Sequence, residues 1–286
     1  MRPGTIAIVL VAAAAHAVWN TVSKYKRGDT VLFVWAYTCA AALLCLPLGI
    51  APVITGAQPV SWQLAAGSAV SAALHVVYSL TLQTGYDRFD LGVVYPVARG
   101  TGPVLTMLFA ILLLGERPTA IAVLGAVVVV AGIVVVAGNP FRSGQRHPVH
   151  GVLWGAATGA TIASYTLWDS SSVTSLHLAP VTYFTGTFLL QSLILTPRAL
   201  RRRGELQTAI RTNAAPILTV AVFSPLAYIL VLTAMRTAPV ALVAPLRESS
   251  IVIGSLLVWR LFHEAHLARR IIGAAIVLAG IAAISL

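Results

Sequence analysis

The stretch LGVVYPVARGTGPVLTMLFAILLLGER, residues 91–117, is apolar and long enough to cross a lipid bilayer as a helix. Its first half nevertheless carries Arg99, flanked by the prolines and glycines Pro96, Gly100, Gly102 and Pro103. A charge inside a membrane span is costly, so it normally faces a partner or a water-filled cavity. The prolines and glycines favour a kinked helix whose freed backbone groups can face that cavity. We therefore expect a functional arginine, the alternative being one that is only packed and ion-paired.

The composition of the whole chain points to a membrane protein. Of 286 residues, 58% are hydrophobic and 9% are charged, and the mean hydropathy is +0.88. At about 20 residues per span, this length predicts an all-α polytopic protein of ten transmembrane helices without a soluble domain. The net charge of +11 lies largely in short loops, which indicates topology and contact with anionic lipids. We expect membrane lipids and a small-molecule substrate as partners, no nucleic acid, and a monomer or homodimer.

Ten apolar stretches are predicted to be spans. They lie near 4–22, 30–50, 60–83, 91–114, 119–137, 151–168, 179–196, 214–235, 238–259 and 268–286. The first could be taken for a signal peptide, because Ala15-His16-Ala17 has the form of a cleavage site. We expect it to be retained, since the internal repeat needs it as a first helix.

The chain repeats itself at an interval of about half its length. HAVWN (16–20) matches YTLWD (165–169), and VVYPVARG (93–100) matches LVAPLRES (242–249), both 149 residues later. The residues Glu116, Gly125 and Gly132 match Glu264, Gly273 and Gly280, each 148 residues later. The order of these matches is strong evidence of a repeat, with a slip of one residue between Pro245 and Glu264.

A repeat of five spans has an odd number of crossings, so the second copy must enter the membrane upside down. We predict a first five-helix repeat over 1–137, a linker over 138–150 and a second, inverted repeat over 151–286. Inverted repeats are typical of secondary transporters, whose substrate site lies near the midplane where the halves meet.

Two five-helix repeats, intramembrane prolines followed by polar residues, and LLLGER at 112–117 resemble the EamA-type drug/metabolite transporter superfamily. The resemblance covers 1–286 and is strongest over 91–137. It implies secondary transport of small metabolites or drugs, often export, without covalent catalysis. It does not identify the substrate.

The basic residues are distributed very unequally between the two sides of the predicted bundle. The termini and even-numbered loops carry three Lys and Arg, whereas the odd-numbered loops carry fourteen. By the positive-inside rule both termini lie outside the cell membrane, which we expect to be the plasma (inner) membrane. This departs from well-known ten-helix members of the superfamily, whose termini lie inside.

Polar and aromatic side chains form stripes on three spans. The candidate cavity residues are His16, Trp19 and Asn20; His75 and Tyr78; and Tyr165, Trp168 and Asp169, joined by Tyr95 and Tyr228 on spans four and eight. In lipid such stripes turn inward, to neighbouring helices or to water. Hydrogen bonding between helices is the alternative role, and we favour it for the serines of span three.

Span nine carries a second charged cluster, Arg247 and Glu248. Because of the slip, either residue could be the counterpart of Arg99. An opposed Glu248 would pair with Arg99 when the site is empty, whereas an opposed Arg247 would favour an anionic substrate. We expect Arg99 to bind the anionic part of a substrate and Glu248 to bind an ammonium group or a coupling proton. His16 and His75 are alternative proton carriers.

The expected function is secondary transport, with export of an amino acid-like zwitterion or organic anion by alternating access, coupled to protons or to exchange. An exporter of cationic or aromatic drugs is the alternative within the same fold. A membrane enzyme is less consistent with the sequence, since HEAH (263–266) places its histidines three apart rather than four. No motif for ATP or covalent catalysis occurs, and we expect no cofactor and no metal.

Two further features are predicted to be structural. Glu116 and Glu264 end the fourth and ninth spans, where they could cap helices or pair with Arg117 or Arg269. The glycine rows of spans five and ten permit close contact, so these two spans are expected to pack together.

Overall fold

The computed structural model describes residues 1–23, 25–89, 91–137, 148–253 and 267–285. The described residues form eleven helices, numbered here in chain order. They are α1 (Pro3–Ser23), α2 (Thr30–Ile54), α3 (Trp62–Arg88), α4 (Leu91–Leu113), α5 (Ala120–Ala137), α6 (Pro148–Thr174), α7 (Pro180–Arg201), α8 (Arg203–Thr212), α9 (Ala214–Met235), α10 (Val240–Arg247) and α11 (Leu267–Ser285).

The all-helical prediction is confirmed, and within the described ranges no residue lies in a strand. Helix α6 begins at Pro148, so the last three residues of the predicted linker are helical, and 138–147 lie outside the described residues. The short helix α8 was not predicted, because its ten residues are too polar and too few for a span.

Helix α8 connects the apolar helices α7 and α9 at the surface of the bundle. None of its residues is buried, and it carries Glu205 in its first turn and Arg211 in its last. The negative charge lies at the N-terminal end of the helix dipole and the positive charge at its C-terminal end. This arrangement stabilises a short exposed helix.

Connections between the helices gather at two opposite ends of the bundle. At one end, Lys26 lies 3.9 Å from Asp87, Arg202 pairs with Asp29, and the Arg27 backbone N–H donates to Asn213 Oδ1 at 2.8 Å. This end, which we call the basic end, therefore combines residues 25–29 with the ends of α3 and α7 and the start of α9.

The other end, which we call the terminal end, contains the N-terminus. The hydroxyls of Thr5 and Thr237 are 3.2 Å apart. The Ala179 backbone N–H donates to Gln58 Oε1 at 2.6 Å. The start of α1, the α2–α3 and α6–α7 connections and the α9–α10 connection therefore all lie at this end.

Helices α5 and α11 run antiparallel in close contact through their glycines. A Cβ at Gly125 would lie 2.7 Å from the carbonyl oxygen of Gly280, and one at Gly132 would lie 2.9 Å from that of Gly273. Only residues without a side chain allow backbones to approach so closely. The prediction that spans five and ten pack together is confirmed.

Helices α2 and α7 form a second antiparallel pair. The Thr182 hydroxyl donates to the Gly49 carbonyl at 2.8 Å, and the Trp35 indole N–H donates to the Thr196 hydroxyl at 3.0 Å. Residues early in one helix therefore meet residues late in the other.

The outside of the bundle is apolar. Within the described ranges, four helices, α1, α2, α3 and α9, are long and apolar enough to cross a membrane. Large aliphatic side chains are exposed along the bundle, for example Leu43 at 69% and Leu113 at 72%. A soluble surface rarely carries contiguous apolar area of this kind, whereas lipid tails would cover it.

The helix interruption lies in α10 rather than in α4. Helix α4 is continuous from Leu91 to Leu113, through Pro96 and Pro103. Helix α10 contains Pro245 and ends at Arg247, with Glu248 as its C-cap. The next backbone bonds join residues three apart, such as Ser249 N–H to Leu246 O at 3.1 Å. A tight turn inside a helical stretch often marks a functional position, and this one contains Glu248.

Candidate functional site

Three charged side chains from both halves of the chain meet in the core. Arg99 Nη1 donates to Glu248 Oε2 at 3.1 Å, and Arg247 Nη2 donates to Glu248 Oε1 at 3.0 Å. Arg99 and Arg247 are each 3% exposed and Glu248 is fully buried. One carboxylate is therefore shared by two guanidinium groups, and the cluster carries one excess positive charge.

This arrangement contains both of the alternatives that the sequence left open. Arg99 faces the opposite charge of Glu248, and the guanidinium of Arg247 also contacts that carboxylate. The second nitrogen of Arg247, Nε, donates to the same Oε1 at 3.2 Å. Its third nitrogen, Nη1, takes no part in this contact.

His16 on α1 extends the cluster. Arg99 Nη2 lies 2.7 Å from His16 Nε2. Because a guanidinium has no acceptor, the histidine nitrogen must accept, which assigns the neutral ring with its proton on Nδ1. In this arrangement His16 supports Arg99 and carries no proton on the nitrogen that faces it.

A second buried carboxylate, Asp169 on α6, accepts three hydrogen bonds. They come from the Tyr183 hydroxyl at 2.6 Å, the Tyr228 hydroxyl at 2.8 Å and His75 Nε2 at 2.9 Å. The carboxylate is fully buried, so these hydrogen bonds compensate for the loss of water around it. We call these four residues the Asp169 cluster.

A small cavity of about 60 Å³ lies between the two clusters. Its wall is formed by aromatic, polar and basic side chains from seven helices: His16, Trp19, Tyr37, His75, Tyr78, Ser79, Tyr165, Phe184, Phe188, Gln191, Val220, Ser224, Tyr228 and Arg247. This volume has room for a few water molecules.

Seven of the predicted site residues lie on this wall. They are His16, Trp19, His75, Tyr78, Tyr165, Tyr228 and Arg247. Arg99, Glu248 and Asp169 are buried behind it and contact wall residues directly. The structure thus places Arg247, rather than Arg99, at the cavity surface.

Two predicted site residues, Trp168 and Asn20, lie neither on the wall nor in the two charged clusters behind it. Trp168 donates its indole N–H to the Gly67 carbonyl at 3.0 Å and lines an apolar outer groove with Phe109 and Leu113. Trp168 therefore does not line this cavity, because its side of α6 faces α3 and the groove. Asn20 is half-buried away from the wall, and the side chain of Tyr95 lies outside the described part of the chain.

Several wall residues were not predicted from the sequence, and three of them lie on α7. Phe184, Phe188 and Gln191 follow each other at helical spacing. Gln191, a buried amide inside an apolar span, was the available signal. Tyr183 was also missed, although its hydroxyl contacts Asp169.

The cavity wall is built from positions 149 residues apart. His16 and Tyr165, His75 and Ser224, and Ser79 and Tyr228 are three such pairs, and all six residues line the cavity. Both halves of the chain therefore contribute equivalent positions but different side chains.

One polar atom on the wall has no partner among the described residues. The indole N–H of Trp19 is buried without a hydrogen-bond acceptor, and its ring contacts that of His16 at 4.6 Å. Because an unsatisfied buried donor is costly, this N–H is suited to an acceptor on a bound molecule.

Glu116 has the capping role, one of the two roles predicted for it, and the helix that it caps lies in the other half of the chain. Its two carboxylate oxygens accept from the backbone N–H groups of Val240 at 2.7 Å and Ala241 at 2.9 Å. It therefore caps α10 in the other half of the chain rather than pairing with Arg117, because a helix N-terminus offers unsatisfied N–H groups. Glu264 and the HEAH segment lie outside the described residues.

Among the described residues, no group of three His, Cys, Asp or Glu could hold a metal ion. The chemistry of the site consists of charge pairing, hydrogen bonding and aromatic contact. These interactions can bind and release a small molecule.

Apolar helices around a buried, charged core define an integral multi-pass membrane protein. The model of the EamA-like transporter family matches residues 3–138 and again 149–286. The chain belongs to the EamA-like transporter family, has the two-repeat architecture of that family, and is a membrane transporter. Transporters of this family are not enzymes, which agrees with the expected absence of catalysis.

A comparison with curated proteins found no match. A crystal structure described only as that of a protein superposes with a TM-score of 0.72 at 18% identity. The alignment covers 99% of this chain and 96% of that chain. At this identity the similarity shows that the two chains share a fold.

Proposed function

We propose that the protein is a secondary active exporter of a small carboxylate-bearing metabolite, most simply an amino acid-like zwitterion. Ten spans form two inverted five-helix repeats, and the halves rock about the central cavity to open it to one side at a time. A proton gradient drives the cycle. Both termini lie outside the plasma membrane.

The inverted-repeat part of the proposal is supported by the pairing of helices. An axis relating two inverted halves brings equivalent helices together antiparallel, as seen for α5 with α11 and for α2 with α7. It also brings positions 149 residues apart to one cavity. Alternating access in such folds occurs around a site between the repeats.

The observation that carries the substrate class is the excess positive charge of the Arg99–Glu248–Arg247 cluster beside the cavity. Glu248 neutralises only one of the two guanidinium groups that contact it. Arg247 reaches the cavity wall and has a nitrogen outside the Glu248 contact. A substrate carboxylate at Arg247 would supply the missing negative charge, with a geometry that guanidinium groups favour.

Trp19 adds a second donor for the same carboxylate. Its indole N–H is buried and lacks an acceptor among the described residues. A carboxylate has two oxygens, so one can accept from Arg247 and the other from Trp19. This would give a partner both to the Trp19 indole N–H and to the Arg247 nitrogen that does not contact Glu248.

The rest of the wall suits a zwitterion better than a simple anion. Tyr165, Tyr228 and Phe184 surround His75 with ring centroids between 4.2 and 5.5 Å away. Aromatic faces attract an ammonium group. The cavity of about 60 Å³ would have to widen to hold such a molecule, as expected for a closed stage of a transport cycle.

A thermal-shift screen tests the proposal on the purified protein. Phenylalanine, glutamate and succinate represent zwitterions and organic anions, and tetraphenylphosphonium represents cationic drugs. We expect a carboxylate-bearing compound to raise the melting temperature of the wild type but not of Arg247→Ala. The control Arg211→Ala removes an exposed arginine of α8 and should keep the shift. Stabilisation by tetraphenylphosphonium alone would support the drug exporter and contradict the proposal.

A further inference from the structure

The Asp169 cluster and the Arg99–Glu248–Arg247 cluster face the cavity from different helices. Glu248 accepts from two guanidinium groups, so taking up a proton would require giving up charged hydrogen bonds. Asp169 accepts instead from two tyrosine hydroxyls and from His75, a residue on the cavity wall. A proton that reaches the cavity therefore meets His75 before it meets either carboxylate.

We infer that His75, held by Asp169, is the proton-binding group of the transport cycle, and that its proton competes with the ammonium group of the substrate. This inference rests on the proposed function and names its coupling site. It replaces Glu248 as the expected proton carrier.

The hydrogen bond between His75 and Asp169 determines which ring nitrogen of His75 can bind the proton. An ionised carboxylate only accepts, so His75 Nε2 carries the hydrogen that it donates to Asp169 Oδ2. The ring nitrogen Nδ1 is then the one that takes up a proton. The charge of the Asp169 cluster changes from −1 to 0, and no other bond forms or breaks.

Competition follows from the single negative charge of Asp169. The rings of Tyr165, Tyr228 and Phe184 enclose His75 and form the surface on which an ammonium group would sit. A protonated His75 and an ammonium group at that surface would be two cations beside one carboxylate in a medium of low dielectric. Like charges at such separation repel strongly, so only one of the two can be accommodated.

The other titratable groups around His75 do not replace it in this role. The phenols are Tyr37 on α2, Tyr78 on α3, Tyr165 on α6, Tyr183 on α7 and Tyr228 on α9, and phenols normally stay protonated in the range where histidine titrates. On the opposite side of the cavity, His16 accepts a hydrogen bond from Arg99. Arg99 and Arg247 both donate to Glu248.

The repeat-related positions support a role for one half only. Position 149 residues after His75 is Ser224, and position 149 residues before Asp169 is Asn20. Neither a hydroxyl nor an amide changes its charge with pH. Of the two repeat-related pairs, only His75 with Asp169 can therefore change its charge with pH. A proton-coupling site requires such a group, whereas a packing contact does not.

Exchange of one proton for one zwitterion moves the substrate toward the more acidic compartment. Proteoliposomes with an acidic interior and alkaline exterior should accumulate labelled phenylalanine, and the wild type should lose this accumulation when the gradient is abolished. In His75→Gln we expect counterflow to continue at a reduced rate while accumulation falls at least about tenfold. The exposed His177→Asn is the matched control and should retain both.

A second readout needs no substrate. Infrared difference spectra of the reconstituted wild type between about pH 5 and pH 8 should contain an imidazole protonation signal that His75→Gln lacks. Should His75→Gln fold poorly, the isosteric Asp169→Asn serves instead, and it should alter the same signal.

The outcomes separate this inference from the function on which it rests. The same imidazole signal in the wild type and His75→Gln, or full accumulation by His75→Gln, would overturn the proton site while leaving transport itself intact. Absence of exchange by the wild type for every compound of the thermal-shift panel would overturn the proposed function, and the infrared signal would still decide the proton site.

Discussion

Arg99 donates to Glu248 at 3.1 Å across 149 residues of sequence, which joins the two halves of the chain by a buried ion pair. Both side chains are at least 97% shielded. Removing one partner of such a pair typically costs about 3–5 kcal/mol, because it leaves a buried charge without compensation. The contact therefore contributes both to holding the halves together and to the charge of the site.

Replacing Glu248 with Gln should destabilise the protein strongly, because two guanidinium groups would then meet without a carboxylate between them. We expect a loss of about 3–5 kcal/mol in the free energy of unfolding, measured by denaturation in detergent. The double variant Arg99→Gln/Glu248→Gln removes both charges. It should be more stable than the sum of the single effects by about 0.5–3 kcal/mol, and strict additivity would argue against a direct pair.

Replacing Gly125 with Ala should loosen the contact between α5 and α11. The new Cβ would lie 2.7 Å from the Gly280 carbonyl oxygen and 2.8 Å from the Ile284 nitrogen, and both atoms belong to backbone. We expect a loss of about 1–3 kcal/mol. The matched control Gly100→Ala meets nothing within 4 Å and should be neutral or more stable by up to about 1 kcal/mol. Equal effects of the two substitutions would contradict the described packing.

Replacing Glu116 with Gln should weaken the start of α10. The carboxylate uses both oxygens, to Val240 N–H and Ala241 N–H, whereas an amide has one oxygen and no charge for the helix dipole. We expect a loss of about 0.5–2 kcal/mol and faster hydrogen exchange at these two amides. The exposed Glu205→Gln on α8 is the control, and it should leave hydrogen exchange at these two amides unchanged.

Much of the architecture follows from the sequence because its signals are repeated. The offset of 149 residues predicts from the sequence that Arg99 and the Arg247–Glu248 pair occupy equivalent positions in the two halves. Which of the two residues faces Arg99 depended on a one-residue slip. The structure shows Glu248 between the two arginines, at a turn after α10 that breaks the helical register.

The face of a helix is less predictable than its position. Tyr165, Trp168 and Asp169 share one stripe by spacing, yet Tyr165 and Asp169 point to the core and Trp168 to an outer groove. Helical periodicity defines a stripe that is wide enough to cover two different neighbours. The α7 residues Phe184 and Phe188 were not predicted, because the sequence does not indicate which neighbour an aromatic residue in an apolar span faces.

Orientation in the membrane is a prediction that reporter fusions can test. Lys26, Arg27, Arg88 and Arg202 lie at or near the basic end of the bundle, opposite the N-terminus. The positive-inside rule places this end in the cytoplasm. A reporter that is active only on the non-cytoplasmic side of the membrane should therefore be active when it is fused to either terminus. Activity restricted to a cytoplasmic reporter at both termini would reverse the proposed orientation.

Counterflow in proteoliposomes tests the central claim most directly, namely that a carrier binds a substrate carboxylate at Arg247. Vesicles loaded with unlabelled phenylalanine, glutamate or succinate should transiently accumulate the labelled compound when they contain the wild type. Arg247→Ala should lower this rate at least about tenfold, a change of about 1.4 kcal/mol, while Arg211→Ala should transport normally. Equal rates in wild type and Arg247→Ala, or dissipation without counterflow, would contradict the account.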